Sequence, residues 1–144
     1  MSNEERIETY KEICIGLKND IRTYAELCDS KMEVLYTNLD IINADDAIQA
    51  CYESKMIKKE YVSALLNEVK GKVTSRLNIP EAILSDIIIV KSMLHNLEEK
   101  CSNCHDAWMI AYHTMIEIEN ILRLIITTGC SVACYLHEID SVSK

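Results

Sequence analysis

Glycine and proline are scarce in this chain, and their scarcity constrains its fold more than any other feature. The 144 residues include only 3 Gly and 1 Pro. β-Sandwiches, barrels, collagen-like repeats and glycine-rich phosphate loops depend on these residues at their turns. We therefore predict an all-α protein. A chain of 144 residues suits one domain, so we expect a single helical domain over residues 1–144.

Charge and hydropathy exclude several functional classes. The chain has 15 Lys and Arg against 23 Asp and Glu, a net charge of −8, whereas a nucleic-acid binder needs a cationic footprint. We expect no nucleic-acid partner.

The polar N-terminus has no apolar signal core. The longest apolar stretch, near 121–135, is interrupted by Arg123 and Gly129 and is shorter than the roughly 20 residues of a spanning helix, so we expect no integral membrane segment.

Apolar residues recur at helical spacing through most of the chain. In segment 4–28, Ile7, Tyr10, Cys14, Leu17 and Ile21 follow steps of three and four residues, which is typical of an amphipathic helix. Turn-forming residues at 29–30, 43–46, 77–80, 101–104 and 129 divide the chain into shorter segments. The pattern predicts six to seven helices, within residues 4–28, 32–42, 47–53, 54–73, 82–100, 105–127 and 131–139.

The segment after the lone proline predicts the centre of the fold. Pro80 suits the first turn of a helix, and the run from Ile87 to Val90 is apolar on every side. The flanking residues keep helical spacing, and the segment is about twenty residues long, which favours a helix over a strand. We therefore predict a bundle of six to seven helices around a buried central helix.

Two metal-binding interpretations compete with a simple loop of free thiols at residues 101–105. Cys101, Cys104 and His105 fit the CxxCH pattern of covalent haem attachment. Cys101 and Cys104 could also form half of a zinc site with Cys130 and Cys134. The 7 Cys and the absence of an export signal favour free thiols, so we predict no metal and no cofactor.

No set of residues in the sequence predicts an active site. The paired acids Glu117 and Glu119 lie on different sides of a helix, and adjacency in sequence does not place Cys104 productively beside His105. We expect a protein that is not an enzyme.

The second half of the chain, about 75–126, resembles the Bcl-2-like proteins of poxviruses and other large DNA viruses. The resemblance lies in Arg76-Leu77-Asn78-Ile79-Pro80 before the central helix, in Trp108 near the start of the next, and in Met115-Ile116-Glu117. Cellular members begin the central helix with an NWGR-like motif, whose arginine pairs with an aspartate of the bound helix. Here Asn78-Ile79-Pro80-Glu81 occupies that place, so an acid replaces the arginine.

The resemblance implies a binding protein that holds the BH3 helix of a host pro-apoptotic protein in a hydrophobic groove and so inhibits host apoptosis. The groove residues that it implies are Tyr52, Met56, Tyr61, Leu65, Val69, Asn78, Glu81, Ile83 and Ile87. The alternative function on the same fold is inhibition of host innate, NF-κB-type signalling through outer helix faces. The resemblance also implies a location in the host cytoplasm, peripherally at mitochondria, and the striped first helix leaves a homodimer open.

Overall fold

The computed structural model describes residues 2–143, and every regular element in that range is helical. The helices are α1 (Asn3–Asn43), α2 (Asp46–Glu53), α3 (Lys59–Thr74), α4 (Pro80–Asn96) and α5 (His105–Ser143), with a 3₁₀ turn over Glu98–Lys100. The prediction of an all-α protein is confirmed.

The described residues form five α-helices, fewer than the six to seven predicted from the sequence. The break predicted at Asp29–Ser30 is absent: α1 continues through both residues, and the Ser30 hydroxyl donates back to the carbonyl of Glu26. The break predicted at Gly129 is also absent, and α5 passes through it. A glycine inside a helix costs about 1 kcal/mol relative to alanine, a small penalty against the packing along these two long helices.

Four of the helices form an antiparallel up-down-up-down bundle. α1 packs against α5 and α3, while α4 packs against α5 and α3, so each helix has two neighbours around the core. Lys70 of α3 pairs with Glu33 of α1 at 2.6 Å. The indole N–H of the buried Trp108 donates to the carbonyl of Leu94 at 2.8 Å and joins α5 to α4.

No helix of this bundle is central, so the prediction of a helix buried on all sides is wrong. Ile87 and Val90 are buried, but Ile88 and Ile89 are 37% and 39% exposed. α4 occupies one of four equivalent positions around the core. A helix in such a position buries only the face that points to the core. The apolar run has the composition of a buried helix, but its side chains at successive 100° rotations point both inward and outward.

α1 and α5 project beyond the rest of the bundle as a two-helix arm, which we define as residues 3–20 and 127–143. These helices have 41 and 39 residues, against 16 for α3 and 17 for α4. In the arm, the rings of Tyr10 and Tyr135 lie 5.9 Å apart, and the buried Cys14 lies against the carbonyl of Val132. Within the arm only Cys14 and Val132 are buried, because two helices alone cannot enclose a core.

Candidate protein-binding surfaces

The nine predicted groove residues lie in α3, in α4 and in the segments beside them, with Tyr52 in α2, Met56 between α2 and α3, and Asn78 between α3 and α4, and they lie at different depths. Val69, Ile83 and Ile87 are in the core, with exposures of 0%, 2% and 0%. Tyr52 and Leu65 are half-buried. The exposed members are Met56, Tyr61, Asn78 and Glu81. The three core residues do not line an open groove in this structure, and a partner would meet the more exposed members first.

A shallow apolar strip runs between α3 and α4, and we call it the α3–α4 seam. Lys72 of α3 pairs with Asp86 of α4 at 3.2 Å, which fixes the side on which the two helices face each other. Tyr61 and Leu65 lie on the same stripe of α3 as Lys72, whereas Ile89 and Met93 share the stripe of Asp86. The seam therefore consists of Tyr61, Leu65, Ile89 and Met93.

Exposure on the seam is substantial for apolar side chains. Tyr61 is 49% exposed and Ile89 is 39% exposed, while Leu65 and Met93 are half-buried. The sequence analysis identified Tyr61 and Leu65 but missed Ile89 and Met93. Steps of three and seven residues from Asp86, the partner of Lys72, would have located Ile89 and Met93 only if the ion pair had been known.

Lys72 places a cation at one end of the seam. Its ammonium lies 3.0 Å from Glu68 and 3.2 Å from Asp86. Hydrogen bonds from Lys72 to Glu68 and then to Asp86 raise the pKa of Lys72 above its usual range. The group therefore stays charged at every physiological pH.

The connection between α3 and α4 is strained and carries apolar side chains. Arg76 and Leu77 have φ values of 55° and 79°, a region in which non-glycine residues cost about 1–2 kcal/mol each. Leu77 is 41% exposed and, together with Pro80, borders a hollow at the base of the arm. The remaining wall of this hollow is formed by Ile21, Glu81, Ile125, Ile126, Gly129, Cys130 and Ala133.

The outer surface of the α1–α5 pair carries another apolar stripe. Leu27, Val34 and Ile41 recur every seven residues on α1 and are 45%, 43% and 49% exposed. Lys31 lies on the same side of α1 and pairs with Glu117 of α5.

The loop at residues 101–104 is held by the carboxylate of Asp45. Asp45 accepts the backbone N–H of Asn103 at 2.8 Å and the hydroxyl of Ser102 at 3.3 Å. Burial raises the pKa of both the Cys101 and the Cys104 thiols, so both thiols are protonated at neutral pH. Both cysteines are free thiols.

The four-cysteine zinc site considered from the sequence is not assembled. Cys104 precedes α5, whereas Cys130 and Cys134 lie on the same unbroken helix about 39 Å or more farther along. Residues 2–143 contain no group of three or more His, Cys, Asp or Glu side chains placed to hold a metal ion.

The acids Glu117 and Glu119 are separated into different ion pairs, as their spacing predicts. Glu117 contacts Lys31 of α1. Glu119 contacts Lys91 of α4 and also Arg123, at 2.9 Å. Lys91, and then Arg123, lower the pKa of Glu119. The two carboxylates face different helices, so they do not form the acid–base pair of a hydrolase.

The described helices do not meet the requirements of a membrane span, and the chain has no match among known proteins. Between residues 2 and 143, none of the helices is both long enough and apolar enough to cross a bilayer. No protein-family model, no curated protein and no solved structure matches this chain. The resemblance to viral Bcl-2-like proteins therefore rests on the motifs in the sequence.

Proposed function

We propose that this protein binds the amphipathic BH3 helix of a host pro-apoptotic protein and thereby inhibits host cell death. The observation that carries the proposal is the α3–α4 seam, where Tyr61 and Ile89 remain 49% and 39% exposed. An amphipathic helix recognises such a strip by apolar anchors spaced three, four and seven residues apart. The resemblance carried by residues 76–80 and by Trp108 supports a BH3 helix as the occupant.

Lys72 supports this assignment through its charge. The resemblance implies a cation for the aspartate of the bound helix, and Glu81 stands where the family has arginine. Lys72 lies on the stripe that also carries Tyr61 and Leu65, and it already contacts two carboxylates. In the complex, the peptide aspartate would replace Asp86 or Glu68 as a partner of the ammonium.

The proposal assigns different roles to the predicted residues. Tyr61 and Leu65 contact the bound helix, with Met56 and Tyr52 beyond one end of the seam and Asn78 and Glu81 at the other. Val69, Ile83 and Ile87 form the layer beneath. They would contact the partner only if α3 and α4 moved apart and the Lys72–Asp86 pair opened.

Calorimetric titration with a panel of BH3 peptides tests this proposal, and α4 supplies a matched pair of variants. Ile89→Asp places a charge on the seam, whereas Ile88→Asp places one at a residue of nearly equal exposure (37%) on a different face. We expect the first variant to weaken peptide binding about tenfold or more and the second to leave it unchanged. Failure of every peptide to bind at tens of micromolar would reject the proposal.

The alternative function is supported by the outer stripe Leu27, Val34 and Ile41. A host signalling adaptor or kinase bound there would contact α1 and α5 and leave the seam free. Val34→Asp would abolish such binding and would not affect BH3 peptides, because Val34 lies on the side of α1 next to α5 and away from α3. This variant separates the two functions in one assay.

A further inference from the structure

One face of α1 packs against α3 within the bundle. In the arm, no described residue packs against the continuation of this face. Glu26 and Glu33 on this face pair with Arg76 and Lys70 near the end of α3, at 3.6 and 2.6 Å. The same face continues toward the N-terminus at steps of four and three residues. The continuation, which we call the arm stripe, consists of Glu4, Glu8, Lys11, Ile15 and Lys18 in the arm and Arg22 just past its base, all exposed. Ile15 is 61% exposed.

On α5, the face that packs into the core likewise extends into the arm, past the point where α4 ends. Leu122 and Ile125 are buried in the core, and steps of three and four residues lead from Ile125 to Gly129, Ala133 and Leu136. Ala133 is exposed and Leu136 is 46% exposed. The small side chains at 129 and 133 leave room for the close approach of another helix.

We propose that two copies of this chain associate through their arms, each arm occupying the two helix positions that are empty beside the other. In the bundle, α3 and α4 fill these positions, but both end at the base of the arm, where Leu77 and Pro80 border the hollow. A second arm supplies two helices at once and completes a four-helix bundle. One helix of a different partner would fill only one of the two positions.

Charge determines the direction of the pairing. The arm stripe has its acids, Glu4 and Glu8, toward the tip and two of its bases, Lys18 and Arg22, toward the base of the arm. Two arms related by a twofold axis perpendicular to their length therefore place the acids of one copy against the bases of the other. A twofold axis parallel to the arms would bring the two α3–α4 layers into collision with the arms of the other copy.

The size of the arm fits a reversible dimer. Its 18 residues of α1 span about 27 Å, and two helices side by side are roughly 20 Å wide. The face is therefore about 500 Å² per copy, and the total of roughly 1,000 Å² lies at the lower limit for a specific interface. We expect dissociation in the micromolar range, with a strong dependence on salt because the flanking charges are exposed.

Analytical ultracentrifugation of the full chain over a range of micromolar concentrations tests the dimer. Leu136→Asp alters the proposed interface, and Leu124→Asp is its control, since Leu124 lies on the outer side of α5 with nearly the same exposure, 48% against 46%. We expect Leu136→Asp to raise the dissociation constant of the dimer about tenfold or more. Leu124→Asp should change it less than about twofold.

Exchanging the charges of the arm stripe tests whether the two arms pair in the antiparallel direction. This test does not depend on whether Leu136→Asp remains folded. Glu4→Lys with Glu8→Lys, and separately Lys18→Glu with Arg22→Glu, should each weaken self-association, because like charges then face each other. An equimolar mixture of the two double variants should restore a dimer. A monomer at every concentration, equal weakening by Leu124→Asp, or failure of the mixture to associate would overturn the proposal.

Discussion

The carboxylate of Asp45 accepts the backbone N–H of Asn103 at 2.8 Å, although 58 residues separate them in the chain. Its other oxygen accepts the N–H of Ala47 at 2.9 Å and so caps α2. One buried side chain thus fixes both the start of α2 and the loop that leads into α5. The loop at residues 101–104, which the sequence offered as a metal site, is held in place by this contact.

Replacement of Asp45 by alanine should lower stability markedly. The variant loses a helix cap and leaves the N–H of Asn103 without an acceptor, so we expect the folding equilibrium constant to fall about fivefold to thirtyfold. Urea unfolding followed by circular dichroism measures the change. Asp46→Ala is the control, because Asp46 is exposed at the first turn of the same helix. Equal losses in the two variants would contradict this role for Asp45.

The contribution of Asp45 to the free energy of unfolding should decrease as the solution becomes acidic. The backbone N–H of Asn103, more than any other group, lowers the pKa of Asp45, so the folded state binds fewer protons than the unfolded state near the ordinary value of about 3.9. The stabilisation is present above that value and is lost as the pH falls through the lowered pKa. The difference in unfolding free energy between wild type and Asp45→Asn should be constant from about pH 5 to 7 and shrink below about pH 4. A difference that grew with acid would contradict the assignment.

Neighbouring isoleucines of α4 should differ strongly in their importance for stability. Ile87 is completely buried, so Ile87→Ala should cost about 2–5 kcal/mol by removing core contacts and leaving a cavity. Ile88 is 37% exposed, and Ile88→Ala should cost less than about 1 kcal/mol. Chemical denaturation of both variants makes the comparison. Equal, large losses would restore the idea of a helix buried on all sides.

Removal of a helix-interior glycine should stabilise the fold. A methyl group added at Gly71 of α3 would have no atom within 4 Å, and the backbone there is helical. Gly71→Ala should therefore raise the free energy of unfolding by about 0.5–1 kcal/mol, through a smaller loss of chain entropy. Gly16→Ala, which is equally unhindered, provides a second measurement in the arm. A decrease in both variants would show that these helices are not continuous.

The seven cysteines should react with an alkylating reagent in a defined order. Cys130 and Cys134 are exposed and should be labelled first, whereas the buried Cys28, whose pKa burial raises to about 12, should react only on unfolding. Mass spectrometry after a short exposure of dilute native protein identifies the labelled sites. Rapid labelling of Cys14, which is buried between the two helices of the arm, would contradict their pairing.

Much of the fold is encoded locally and could be predicted. The spacing of apolar residues predicted helix within every segment that is helical, although it divided α1 and α5 into shorter helices, and the interval 47–53 agrees with α2 to within one residue. Pro80 marked the first residue of α4, because its fixed φ suits a helix start. These features depend on near neighbours in the chain, so the sequence contains them directly.

The length of α1 was decided by packing across the molecule. Asp29 and Ser30 have the residue types of a helix break, but Cys28 and Met32 on either side are both buried against the same core. Continuing the helix keeps both side chains in that core, and Ser30 finds its acceptor within α1. Local capping preference is worth about 1 kcal/mol, less than the burial of one large apolar side chain.

By itself the sequence determined that the chain is helical, where most helices begin, and, outside α4, which side of each helix is apolar. Only the tertiary structure decided that no helix is central, that Ile89 and Met93 join Tyr61 and Leu65 at one seam, and that α1 and α5 extend beyond their neighbours. The physical reason is that an apolar stripe specifies what a helix must bury. Which neighbour covers it, and over what length, depends on the lengths of helices that are distant in the chain.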